Sequence, residues 1–211
     1  MVGGEVIIDE FLRGEGFDTP AAAARARAVL EEGGVTRPGK HAFVATKLES
    51  ARVMLAGTLI RVCGDACRVV DRAGPTAARE SVIVTQPSCE VCGGSNNRRA
   101  AIAARRALAR RGIRRIVVVG GSPGTREQLQ REFAGADVEM KLIDGTVKSL
   151  TAKDAIAHEQ WAQLVIIWGS TELRHAVSAL YTKEPPPHLR LITVGRRSVE
   201  ALCAEITRSY T

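Results

Sequence analysis

Residues 89–125 read CEVCGGSNNRRAAIAARRALARRGIRRIVVVGGSPGT, and the fold depends on how this stretch is divided. It opens with Cys89 and Cys92 at metal-ligand spacing, passes through an arginine-studded helical segment and ends in IVVV, an apolar strand that runs into a glycine-rich turn. The division expected is a zinc turn, a polyanion-binding helix and the first strand of an α/β domain within 37 residues.

Working outward toward the C-terminus, the pattern alternates. Strands are expected at Ile116–Val119, Val138–Ile143, Leu164–Trp168 and Leu189–Val194. Helices are expected near Arg126–Phe133, Leu150–Gln163, Glu172–Tyr181 and Ser198–Ile206. Short, almost wholly apolar strands separated by helices are the mark of a parallel sheet covered on both faces. The fold class read from this is α/β: a Rossmann-like parallel sheet of about four strands with helices on both faces. It is preceded by a small helical and zinc-binding module, with the boundary between residues 1–95 and 96–211.

Each strand ends on residues suited to a turn or a ligand: Gly120, Gly121, Ser122 and Thr125; Asp144 and Gly145; Ser170 and Thr171; and Arg197 after the last. In an open parallel sheet these ends share one edge, where ligands bind and helix N-termini offer free N–H groups. His175 lies four residues after Thr171, on the same side of a helix beginning there. Asp144 with His175 could serve acid–base chemistry, although no nucleophile accompanies them. GGSPGT has neither the spacing of a dinucleotide fingerprint nor the lysine of a Walker loop. The same residues are also what ordinary strand–helix turns require, so a ligand edge and plain turn chemistry both stand.

The stretches VVVGGSPGT, LIDGT, LVIIWGSTELRHA and GRRSVEALCAEI together resemble a bacterial Rossmann-like α/β family catalogued only as a domain of unknown function. The resemblance spans Ile116 to Ile206 and implies that Gly120, Gly121, Asp144, Gly145, His175 and Arg197 are family-like positions. This chain has Ile143 where a histidine often precedes the Asp-Gly of that family. It has Ser170 or Thr171 where a cysteine is common.

Between Glu90 and Glu127 there are nine arginines and no acidic residue. On a helix from Asn97 to Arg111, Arg98, Arg99, Arg105, Arg106 and Arg110 fall within about 140° of one another at 100° per residue. Ala100, Ala101, Ala104, Ala107 and Leu108 gather opposite. Solvated charged faces ordinarily mix signs, so a surface for phosphates is expected, since guanidinium binds them bidentately. An acidic partner protein would also satisfy it. Aromatic residues are only 4% of the chain, which disfavours recognition by base stacking and favours backbone contact.

The chain has five cysteines, and four form close pairs: Cys63 and Cys67, then 21 residues, then Cys89 and Cys92. This order is close to that of four-thiolate structural zinc sites. The alternative is that Cys63 and Cys67 are buried, metal-free thiols one helical turn apart. His41 is an outlying candidate ligand.

Residues 1–60 are expected to be helical. Thr19-Pro20 reads as an N-cap with proline in the first helical position, and Gly33-Gly34 as the stop. Arg25, Arg27, Arg37, Lys40 and Lys47 around short helices would suit either a helix-turn-helix reader or a small supporting bundle. Ser81–Thr85 is β-branched enough for a strand. The formal net charge of +7 is of the kind that favours nucleic acid or another polyanion. No apolar run reaches the roughly 20 residues of a membrane span. The N-terminal residues lack a signal pattern, so a cytoplasmic location is expected. The function expected is a non-enzymatic, zinc-stabilised subunit of a bacterial nucleoprotein system, binding DNA or RNA and other protein subunits. The alternative is a sensor or enzyme for a nucleotide or phosphorylated small molecule at the strand-end edge.

Overall fold

The computed structural model describes residues 4–71, 79–146, 149–169, 173–183 and 186–211. The chain divides into two compact units, Met1–Ser95 and Asn96–Thr211.

The first unit mixes helices with two short sheets. β1 (Glu5–Ile7) pairs antiparallel with β2 (Ala42–Val44), and β3 (Leu59–Val62) pairs parallel with β4 (Glu80–Ile83). Helices α1 (Ile8–Gly14), α2 (Pro20–Glu32) and α3 (Leu48–Thr58) lie between them, and α4 (Asp65–Asp71) follows β3. The helical expectation for residues 1–60 is thus corrected at β1, at β2 and at the start of β3, since strands of three or four residues are too short to show a period. α2 begins as expected: the Thr19 hydroxyl accepts the Ala22 N–H at 3.2 Å with Pro20 next in line. Gly34, at φ +71, takes the left-handed turn that follows the helix.

Ile8, Leu12, Leu30, Ala26, Ala51 and Leu59 form the core of this unit, with Phe11 and Phe43 in edge-to-face contact at 5.4 Å. Asp18 staples the loop before α2 to the chain beyond β4. Its carboxylate accepts the Thr85 N–H at 2.8 Å, the Thr85 hydroxyl and the Ser88 hydroxyl at 2.6 Å.

The second unit holds the parallel sheet. Its elements are α5 (Asn96–Arg110), β5 (Arg115–Gly120), α6 (Pro123–Phe133), β6 (Glu139–Ile143), α7 (Ala152–Trp161), β7 (Leu164–Trp168), α8 (His175–Thr182), β8 (Arg190–Val194) and α9 (Val199–Tyr210). The strand order is β6-β5-β7-β8, every pair parallel. Order reverses between β5 and β7, the switch point of a doubly wound sheet.

Alternate residues of each strand face opposite layers. Ile116, Val118, Ile166 and Trp168 pack against α5, α6 and α9. Val117, Val119, Val165 and Ile167 pack against α7 and α8. Side-chain oxygens cap three of these helices: Ser122 for α6, Ser198 for α9, and a Thr151–Asp154 capping box for α7. Among the described residues, no helix is long and apolar enough to cross a membrane.

Candidate functional site

Four sulfurs converge in the first unit. β3 delivers Cys63 at its end, the first turn of α4 carries Cys67, and the turn after the short 3-10 segment Gln86–Ser88 carries Cys89 and Cys92. All four Sγ atoms lie within 4.8 Å of one another, with Cys63 3.7 Å from both Cys67 and Cys92. A disulfide would need about 2.05 Å. Four thiolates around one ion at about 2.3 Å would stand about 3.8 Å apart at the edges of a tetrahedron. The cluster therefore has the spacing of mononuclear coordination, and these four cysteines can hold a metal ion. Cys67, Cys89 and Cys92 are buried and Cys63 is half-buried.

The turn is built for thiolates. Gly93 and Gly94 adopt φ of +57 and +77, open only to residues without a Cβ penalty. Burial works to raise the Cys89 thiol, but the backbone N–H groups of Cys92 and Val91 outweigh it and hold the thiol below its usual range. The Gly94 backbone acts likewise on Cys92, where burial nonetheless wins and pushes the thiol up to about 11. Burial, reinforced by the neighbouring Cys89, also raises Cys67. A cation at the cluster would offset the burial that raises Cys67 and Cys92.

Glu90 locks this turn to β3, a role the sequence reading missed. Its Oε1 accepts the Arg61 Nε–H at 2.9 Å and the Arg61 backbone N–H at 3.2 Å, and Arg79 reaches its Oε2 at 3.5 Å. The available signal was a lone acid between two metal-spaced cysteines. His41 is exposed and outside the cluster; its carbonyl accepts the Ile8 N–H.

In the second unit, α5 turns Ala101, Ile102, Ala104, Ala107 and Leu108 into the core, where small residues let it pack closely on α9. Arg98, Arg99 and Arg110 are exposed, and Arg105 and Arg106 are half-buried. The arginines are not equivalent. Arg105 directs Nη1 to the Glu132 carbonyl at 3.4 Å, in the last turn of α6. Arg111 directs Nε to the Tyr210 carbonyl at 3.4 Å, at the end of α9. Both cap carbonyls that the helices leave unpaired and sit at the negative ends of helix dipoles. Arg114 pairs with Asp137 at 3.2 Å. Among the described residues, no ion pair involves Arg99, Arg105 or Arg110.

Charge is segregated between the units. Residues 96–211 hold 19 of the 30 Lys and Arg and 11 of the 23 Asp and Glu, a net +8; residues 1–95 hold 11 and 12, a net −1. The positive excess therefore belongs to the unit that carries α5.

At the strand-end edge the sheet brings Gly120, Gly121, Asp144 and Gly145 together, and contacts within the unit account for them. Gly120, at φ +105, lies so close to the Trp168 carbonyl that a Cβ would strike it. A Cβ on Gly121, at φ +71, would lie 2.5 Å from the Trp168 ring, and one on Gly145 would lie 2.6 Å from Leu173. Asp144 accepts the Thr146 N–H at 2.8 Å, the Thr146 hydroxyl at 2.7 Å and Arg126 Nη2 at 2.9 Å. The Thr146 N–H and hydroxyl, with the Arg126 charge added, hold its carboxyl below the usual range.

Ser122 Oγ accepts the Thr125 N–H at 3.4 Å as the cap of α6, and the two hydroxyls lie 3.1 Å apart. His175 is exposed and is the first residue of α8, so it does not stand one turn into a helix as the sequence reading expects. No hydrogen bond joins it to Asp144 among the described residues. Arg197 is exposed, and Ser170 and Thr171 lie outside the described residues.

No protein-family model matches the chain, nor does any curated protein or solved structure.

Proposed function

We propose that this protein is a non-enzymatic nucleic-acid-binding subunit of a nucleoprotein assembly. It grips phosphates with α5 and is stabilised by a structural zinc ion. The observation that carries the reading is the arginine face of α5. It points away from the core, bears no acid, and belongs to the unit that holds the whole positive excess. Arg98, Arg99, Arg106 and Arg110 are the phosphate ligands in this reading, while Arg105 is committed to α6. Guanidinium groups along one helix face suit a line of phosphates without reading bases. The resemblance of residues 116–206 to the Rossmann-like family forms part of the proposal, and the doubly wound strand order supports it.

Zinc is the ion of choice for four thiolates with tetrahedral spacing, and four protein ligands close its coordination shell. Its role is to hold β3, α4 and the Cys89–Cys92 turn together. Binding of fluorescein-labelled duplex DNA and RNA to the full chain, titrated with salt, tests the function. Affinity should fall linearly on a log–log plot against salt, by about 0.9 in slope per phosphate neutralised on B-form DNA. The variant R98E/R99E/R106E/R110E should not bind; undiminished binding by a folded variant rejects the assignment to α5.

A further inference from the structure

β6 is an edge strand: it pairs with β5 on one side, and among the described residues no strand lies on the other. Glu139 donates its N–H inward to the Arg114 carbonyl at 2.6 Å. By the alternation of a parallel ladder, the N–H and C=O groups of Met140 and Leu142 therefore point outward. An open edge of this kind is a template for another strand. Beside it runs an open groove of about 420 Å³ lined by Pro123, Arg126, Glu127, Gln130, Met140 and Leu142. Val138, Met140 and Leu142 face the helix layer but are only half-buried, unlike the fully buried strand residues of β5 and β7.

We propose that a second copy of this chain occupies the edge, β6 pairing antiparallel with β6 about a two-fold axis at Met140. The charge pattern selects this register. With Met140 opposite Met140, Glu139 of each copy stands opposite Lys141 of the other, on the same face of the sheet. A shift by one step in either direction places Glu139 opposite Glu139 or Lys141 opposite Lys141. Opposite charges across a ladder stabilise and like charges destabilise. Met140 then forms a mutual hydrogen-bonded pair through its outward groups, and Leu142 does the same with Val138. The half-buried apolar residues of both copies make one continuous floor between the two α6 helices. Lys141 stands with Nζ 4.2 Å over the Trp161 ring, which holds it at the sheet surface beside the edge. The result is an eight-stranded sheet across the dimer. A two-fold pairing of this kind is closed and does not propagate into fibres.

Sedimentation velocity on the full chain tests the proposal. Wild type should dimerise reversibly. Glu139→Lys and Lys141→Glu, each creating like pairs twice per interface, should each raise the dissociation constant roughly tenfold or more. The double variant E139K/K141E should return it to near the wild-type value. The register has its own readout. Residues of a hydrogen-bonded antiparallel pair stand about 5.5 Å apart at Cα, a disulfide distance. Met140→Cys should therefore give a covalent dimer under mild oxidation that the parent chain does not give. A chain that stays monomeric, as it would if the edge served an extended peptide of another protein, overturns the proposal. So does a dimer that ignores both single reversals, or one that the charge swap fails to restore.

Discussion

The Sγ of Cys63 lies 3.7 Å from the Sγ of Cys92, 29 positions further along the chain. Two turns from different parts of the first unit meet there, one leaving β3 and the other fastened to β3 through Glu90 and Arg61. Four thiols brought this close, with Sγ atoms all within 4.8 Å of one another, can hold a metal ion. Elemental analysis of the purified chain should give one zinc per chain. Cys92→Ser should abolish stoichiometric binding and lower the unfolding free energy of residues 1–95 by about 3 kcal/mol or more, as loss of a structural metal does. A metal-free chain with wild-type thermal stability would count against the site.

The arginines of α5 should separate into two classes on mutation. Arg105→Ala removes a cap from the last turn of α6 and should cost about 1 kcal/mol of stability. It should leave the salt dependence of nucleic-acid binding unchanged. Arg99→Ala should do the reverse, leaving chemical denaturation unaltered and reducing the salt slope by about 0.9 on duplex DNA. Equal slopes for the two variants would show that the distinction between them has no functional content.

Much of the second unit was readable because its physics is local. Buried parallel strands such as Leu164–Trp168 have no polar residue to interrupt them. β3 was not readable. Leu59 continues the helical spacing of Leu48 and Leu55, and only its pairing with β4, 21 positions away, makes it a strand. The role of Arg105 was equally hidden, because its partner is a backbone carbonyl on another helix. Every residue carries such a carbonyl, so the sequence does not distinguish this one. Of the strand-end set, Gly120, Gly121 and Gly145 have a packing role that the sequence does not show. Trp168 and Leu173 approach them, a contact invisible until the strands are ordered.

That contact makes Gly120 and Gly121 positions of stability. Gly120→Ala forces a Cβ onto the Trp168 carbonyl at φ +105, and Gly121→Ala places one against the indole at φ +71. Each should cost about 2–3 kcal/mol or more from steric clash and a positive φ. Urea unfolding of the variants measures this. Wild-type midpoints would mean that the glycines are kept for something other than packing.

The Asp144 carboxylate is satisfied within the fold by the Thr146 N–H and hydroxyl and by Arg126. These groups hold its carboxyl below the usual aspartate range. A carboxyl depressed in the folded state contributes stability that is fully present above its unfolded pKa. That contribution fades as pH falls through the folded value. Wild type and Asp144→Asn should therefore differ most at neutral pH, and their unfolding midpoints should converge below about pH 4. Arg126→Ala should move wild type part of the way toward the Asp144→Asn profile, since the salt bridge at 2.9 Å is one of the causes. A general acid or base would instead need a pKa near its working pH. A constant difference between the two midpoints from neutral pH to below 4 would show that the charge of Asp144 contributes nothing to the fold.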